Sequence, residues 1–308
     1  MTDAIKLALV GVGKIARDQH VPAIRGDAGF VLAATADPQG GLPDVARYPS
    51  LDALLASGER IDAVSLATPA AGRRALVARA LAAGLHVMVE KPPAATLSEV
   101  ADMAARADAA GRTLFTAWHS RGAPFVAAAR DWLRSRRVTG LRIAWKEDVR
   151  HWHPGQEWLF GPGGFGCFDC GINALSIATT ILPQPLFVEA ATLLVPQGRD
   201  QPIAASLSAR TGEAAGRIDF DIRQAGEQTW DIEVDTDAGT LALRDGGATI
   251  ERPGVAPERA ASREYASLYA RFAALIAAGR SDVDAAPLRL VADALLVGGR
   301  TAVAPFVF

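Results

Sequence analysis

The feature that most limits the fold is the hexapeptide Gly11-Val12-Gly13-Lys14-Ile15-Ala16, which follows the apolar run Lys6-Leu7-Ala8-Leu9-Val10 without a break. Such a run is the pattern of a strand buried on both faces, and Gly11 stops it. Between a strand and a helix, Gly-x-Gly-x-x-Ala fits a dinucleotide. The first glycine permits the tight turn, the second lets a pyrophosphate approach the backbone, and the small third residue lets helix and strand pack closely. The helix N-terminus then offers unpaired N–H groups and a positive dipole end to the phosphates. Gly11, Gly13, Lys14 and Ile15 are the cofactor-binding candidates of this turn.

Similar apolar runs recur at Phe30–Ala36, Ala63–Ala67, His86–Glu90 and Thr113–Ala117, with helical segments between them. A parallel sheet covered on both faces requires this alternation. Thr96 and Glu99 form a capping box, and Gly84 and Gly111 end helices. Residues 1–121 therefore read as a Rossmann-type α/β domain. Beyond them lie a helix at Ala123–Arg136, a strand at Leu141–Trp145, and an irregular stretch rich in Trp, His and Gly from Asp148 to Gly166. A helix at Gly171–Ile181 precedes strand-like segments around Phe187–Leu194, Ile203–Ala209, Arg217–Ile222, Trp230–Asp235 and Thr240–Leu243. Helices near Glu264–Ala277 and Leu288–Val297 finish the chain. Strands joined by turns predict an α+β second domain over 122–308 with a mostly antiparallel open sheet.

Three loops at the carboxyl edge of the first sheet carry chemistry. Asp37 ends the second apolar run, 21 positions after Ala16, where a carboxylate bonds adenosine ribose hydroxyls. Its charge repels a 2′-phosphate and Pro38 follows instead of an arginine, so NAD is favoured, with NADP possible through a nearby arginine such as Arg47. Glu90-Lys91-Pro92-Pro93 follows the strand at His86, and Thr68-Pro69 follows the strand before it. The chain has four lysines, so one between a glutamate and two stiffening prolines stands out. An ammonium there can hydrogen-bond a reacting hydroxyl and favour the alkoxide that develops as hydride leaves.

Other classes of function have little support. A net charge of −2 gives no general attraction to nucleic acid or anionic lipid. No run of about 18 apolar residues predicts a membrane span. The N-terminus lacks the basic and apolar regions of a secretory signal, so a cytoplasmic enzyme is expected. Cys167 and Cys170 lack a second pair and read as structural. The histidines lack metal-ligand spacing, and there is no Gly-x-Ser-x-Gly elbow.

The glycine turn, Asp37, Thr68-Pro69 and above all Glu90-Lys91-Pro92 resemble the Gfo/Idh/MocA oxidoreductase family over the whole chain. Longer stretches narrow the resemblance to its bacterial aldose 1-dehydrogenase branch, which acts on galactose and arabinose. These include 13–20, Ala117-Trp118-His119-Ser120-Arg121, Trp145–Arg150, Trp152-His153-Pro154-Gly155-Gln156, Gly171–Ile177 and Ser281-Asp282-Val283-Asp284. The resemblance implies a Rossmann domain plus a second domain that binds substrate and builds a homodimer. The wider family carries Asp-x-x-x-His on a helix; here the spacing is Asp169-x-x-x-Asn173. Both positions share one helix face. An amide bonds sugar hydroxyls but does not exchange protons at neutral pH, which leaves proton transfer to Asp169, assisted by the charge of Lys91.

Lys91 and Asp169 are thus the expected catalytic pair, and Asn173 an expected substrate contact. Glu147, Trp152 and His153 add a carboxylate, an indole and an imidazole, the mixture that sugar sites need, and His119 ends the last strand on the ligand edge. Asp37, Thr68, Pro69, Glu90 and Lys91 join the glycine turn as cofactor contacts; no metal is expected. The expected reaction is NAD(P)-dependent oxidation of C1 of a cyclic aldose to the aldonolactone. Galactose is favoured because Val303-Ala304-Pro305-Phe306 resembles that branch, with L-arabinose also accepted. The alternatives are another sugar or inositol dehydrogenase or reductase of the family, and a non-catalytic dinucleotide-binding regulator. A regulator would tolerate loss of Lys91 and Asp169, and this sequence keeps both.

Overall fold

The computed structural model describes residues 4–308. They divide into two compact units, one holding the chain up to His119 with Tyr265–Ala285, the other holding Ser120–Glu264 with Ala286–Phe308.

In the first unit, β1 (Ile5–Val10), β2 (Phe30–Ala36), β3 (Ala46–Tyr48), β4 (Ala63–Leu66), β5 (His86–Glu90) and β6 (Leu114–Ala117) form a sheet in the order β3-β2-β1-β4-β5-β6. Every neighbouring pair is parallel. This is the doubly wound order, with its switch point between β1 and β4. The five strands foretold by apolar runs lie within one residue of their expected ends, and β3 is the addition. The Thr96–Glu99 capping box forms, and Gly111 closes its helix at φ 59°.

One face of this sheet is covered by a helix from late in the chain, Glu264–Ala277. Its apolar stripe, Tyr265, Leu268, Tyr269, Phe272 and Leu275, packs with Leu7, Ile24, Phe30, Ala63, Met88 and Phe115. Asp282 then runs beside β6, its N–H donating to Leu114 O and its carbonyl accepting from Thr116 N, each at 3.0 Å. A single division at residue 121 therefore does not describe this unit, because the sheet's apolar face takes its cover from residues 265–285.

The second unit is built on nine strands: β7 (Val138–Lys146), β8 (Leu186–Pro196), β9 (Ala204–Thr211), β10 (Ala214–Asp221), β11 (Thr229–Thr236), β12 (Gly239–Arg244), β13 (Thr249–Arg252), β14 (Val255–Arg259) and β15 (Gly298–Val303). Their order is β14-β13-β12-β11-β7-β10-β9-β8-β15. The sheet is mixed: β7–β10 and β8–β15 are parallel and the other pairs antiparallel. Along β9, buried Ala205, Leu207 and Ala209 alternate with exposed Ser206, Ser208 and Arg210, the period of a half-buried strand. The helix Phe168–Ile181 lies on the apolar face. Gly171 permits its close approach, since a Cβ there would fall 2.7 Å from the Phe220 ring. Alternate residues carry ion pairs, Arg142 with Glu233 (2.8 Å) and Asp235 (2.9 Å), and Arg217 with Asp219 (2.8 Å). Among the described residues no helix is long and apolar enough to cross a membrane.

Candidate active site

In the first unit the candidate residues follow the carboxyl ends of parallel strands: Gly11 after β1, Asp37 after β2, Thr68 after β4 and Lys91 after β5. Gly11 has φ 85°, and a Cβ on it would fall 2.9 Å from the Ala67 carbonyl carbon, so only glycine fits. Gly13 is the opposite case. A Cβ there would meet nothing within 4 Å, leaving its backbone open to an approaching ligand. Asp37 is fixed by two backbone donors, Val12 N to Oδ2 and Gln39 N to Oδ1, both at 2.7 Å. Thr68 Oγ1 is buried without a hydrogen-bond partner among the described residues. An open glycine backbone and an orphaned hydroxyl at a switch point suit a dinucleotide. Lys14 is exposed and pairs with Asp18; Ile15 is 40% exposed, and Pro69 is exposed.

Two features of this edge escape the sequence reading. Arg73, only 4% exposed, ties the Thr68 and Lys91 loops together: its Nε donates to Thr68 O at 2.8 Å, and its guanidinium also reaches Glu90 O and Pro92 O. Its burial at the helix start just after Gly72 shows only in the structure, and no spacing in the sequence marks it. The second feature is a polar network around Glu90. Its Oε1 accepts from His20 Nε2 (3.0 Å) and Tyr265 OH (2.8 Å), and its Oε2 accepts from Lys91 N (2.8 Å). A carboxylate only accepts, so Nε2 of His20 carries the hydrogen, and Nδ1 meets Tyr269 OH at 2.8 Å. Burial pushes the Glu90 carboxyl up, but the hydrogen bond from His20 and the charges of His20, His119 and Lys91 outweigh it, holding it at about 2. Glu90, expected against the cofactor, is thus turned inward behind Lys91. His119 stacks on Tyr265, with ring centres 5.3 Å apart.

In the second unit, Asp169 sits in the first turn of the helix Phe168–Ile181, buried, and Asn173 follows one turn on, partly exposed. His153 Nε2 lies 3.4 Å from Asp169 Oδ2. Glu147, 6% exposed just past β7, accepts from Trp230 Nε1 at 3.1 Å. Trp230 is flanked by Trp145 and by Trp152, at 6.0 and 5.7 Å between ring centres. Trp152 is 36% exposed and donates to Gln228 Oε1 at 2.9 Å. A carboxylate beside a partly exposed indole face offers an acceptor for hydroxyls and a flat surface for sugar C–H groups. Residues near both ends of 149–160 meet the C-terminus: Arg150 lies over Phe306 at 4.7 Å, and Phe160 packs on Phe306 and Phe308 at 5.6 and 5.9 Å. Cys167 and Cys170 are buried thiols, and burial pushes Cys167 well above its ordinary range. Among the described residues no His, Cys, Asp and Glu group is placed to hold a metal ion.

Residues 5–118 match the family described as "Oxidoreductase family, NAD-binding Rossmann fold" (GFO_IDH_MocA). Galactose 1-dehydrogenase of Pseudomonas fluorescens is 47% identical over 303 residues, spanning 98% of each chain. The chain belongs to the Gfo/Idh/MocA oxidoreductase family. The crystal structure of D-galactose-1-dehydrogenase from Rhizobium etli superposes on this family member with a TM-score of 0.94 at 49% identity, covering 100% of this chain and 99% of that one. A 3-ketoreductase from Actinomadura kijaniata, 20% identical, shares the fold at a TM-score of 0.83 over 97% of this chain and 99% of its own. Like its relatives in the family, the enzyme is an oxidoreductase that uses a nicotinamide cofactor, and the open backbone at Gly13 is compatible with one.

Proposed function

We propose that the enzyme is an NAD-preferring aldose 1-dehydrogenase that oxidises C1 of a cyclic aldose to the aldonolactone, with D-galactose as first substrate and L-arabinose as second. The observation that carries this reading is identity near one half with galactose 1-dehydrogenases along the whole chain. The bound nicotinamide supplies the hydride acceptor. The chain's own residues hold the reactants and move the proton. The backbone at Gly13 receives the phosphates, Thr68 and Pro69 line the cofactor's side of the loop after β4, and Asp37 receives the adenosine ribose. Lys91 donates a hydrogen bond to the C1 oxygen and stabilises negative charge there as hydride departs. Asp169 takes the C1 hydroxyl proton. Asn173, Glu147 and His119 bond the remaining hydroxyls, while Trp152 offers its indole face. Glu90 acts from behind Lys91. The reading extends to a cytoplasmic homodimer through the sheet of the second unit, as the family resemblance implies.

A spectrophotometric screen of aldoses and inositols with NAD and with NADP tests this. Galactose with NAD is expected to give the fastest nicotinamide reduction, and lactone is expected as the product. Silence with every aldose overturns the reading, and an inositol outrunning all aldoses moves the enzyme elsewhere in the family.

The cofactor preference has its own test. Asp37→Asn keeps one acceptor, for Val12 N, turns its NH₂ toward Gln39 N, and removes the negative charge. NADP turnover is expected to rise, and KM for NAD to rise about tenfold, the worth of a hydrogen bond to a charged group. Unchanged discrimination between the two cofactors would place the preference on other residues.

A further inference from the structure

The proton that Asp169 takes up must return to water in every cycle, yet its side chain is only 5% exposed. Its neighbour His153 is 25% exposed and presents Nε2 to Oδ2 at 3.4 Å. The other ring nitrogen, Nδ1, faces Gln156 Oε1 at 3.1 Å. With a carbonyl oxygen as acceptor, Nδ1 carries the ring hydrogen in the neutral form, which leaves the Nε2 lone pair toward Asp169. The chain builds this arrangement locally. His153 N closes the short helix Val149–Trp152 by donating to Val149 O at 2.8 Å. The turn His153-Pro154-Gly155-Gln156 then folds back, with Gly155 at φ 66° and Gln156 N donating to His153 O at 3.2 Å.

We propose that Asp169, His153 and Gln156 form a proton exit route, an inference that rests on the reading of Asp169 as the base. The hydroxyl O–H bond at C1 breaks as an O–H bond forms on Asp169. That bond then breaks as an N–H bond forms on His153 Nε2, giving an imidazolium and restoring the carboxylate. Water takes the proton from Nε2, while Gln156 keeps accepting from Nδ1–H throughout and so holds the ring in the tautomer whose Nε2 lone pair faces Asp169. Hydride goes to the nicotinamide, so charge and atoms balance. His153 and Gln156 are positioning and relay residues that act through Asp169.

Repeated turnover with galactose and NAD, with and without added imidazole, tests the route. His153→Ala is expected to lose about 10²-fold in kcat, the lower range for a positioned proton-transfer group, and imidazole is expected to restore part of it in a saturable way. Gln156→Leu, which leaves the ring in place, is expected to lose about fivefold in kcat, one neutral hydrogen bond, and Gln156→Glu to retain activity. A His153→Ala enzyme with raised KM and unchanged kcat overturns the route in favour of a sugar contact. A lost kcat that imidazole does not restore also overturns it, as does a Gln156→Leu enzyme of full activity. If His153→Ala fails to fold, the Gln156 pair decides alone: loss in Leu with retention in Glu supports the route. Asp169→Asn separates the two levels, because wild-type turnover there removes the base itself, whatever the His153 and Gln156 variants show.

Discussion

Lys91→Ala is expected to lower kcat by about 10²- to about 10³-fold, roughly 3–4 kcal/mol, the usual cost of removing one preorganised donor to a developing oxyanion. NAD binding, followed by quenching of protein fluorescence, is expected to change only a few-fold. The two effects separate because the backbone of this loop is anchored without the ammonium: Lys91 N donates to Glu90 Oε2, and Arg73 grips Glu90 O and Pro92 O. Truncating the side chain therefore removes charge from the site and leaves the loop standing. Lys91→Arg keeps the charge but replaces a compact ammonium with a planar fork, and is expected to recover only part of the rate. Turnover near wild type in Lys91→Ala would count against any role for the ammonium in stabilising the alkoxide.

Glu90→Gln is expected to cost the protein on the order of 3 kcal/mol at neutral pH. The carboxyl is held at about 2 in the fold against an ordinary 4.5. Each unit of depression corresponds to about 1.4 kcal/mol of preference for the ionised form. A depressed acid stabilises the fold above its unfolded value, and that stabilisation fades as pH falls from 4.5 toward 2. Gln cannot replace it. One amide oxygen can still accept from His20 and Tyr265, but the NH₂ group would then face Lys91 N, donor against donor. Urea denaturation of both proteins above pH 4.5 and near pH 2 checks the sign: the difference should be large at the first and shrink toward the second. A constant difference across that range would mean that Glu90 contributes through packing and not through its charge.

The first sheet was legible because strands buried on both faces write themselves as apolar runs. β3 escaped because Ala46, Arg47 and Tyr48 are half-buried or exposed and too few to make a run. β14 is exposed at all five residues and β15 opens Gly298-Gly299-Arg300, so neither carries an alternating pattern. The helix Glu264–Ala277 could be read from its stripe, but a stripe states that a face is buried and not which sheet buries it. The glycine turn and Asp37 were legible because backbone geometry restricts residue type there. Arg73 and the His20–Glu90–Tyr265 network were not. Apart from Thr68, five positions from Arg73, these partners lie 17 to 175 positions apart, and local spacing holds no record of such contacts. Likewise His153 and Asp169 meet across an irregular stretch in which no periodicity fixes direction.

The late helix also sets a limit on how this protein can be divided. A fragment severed after residue 121 would keep all six parallel strands yet leave Leu7, Phe30, Met88 and Phe115 bare to water, and Glu90 without the Tyr265 hydroxyl. Such a piece would be sticky and short of one donor at its buried anion. The nucleotide-binding half of the sequence is therefore not a module that can be transplanted alone, since its completion is synthesised nearly last.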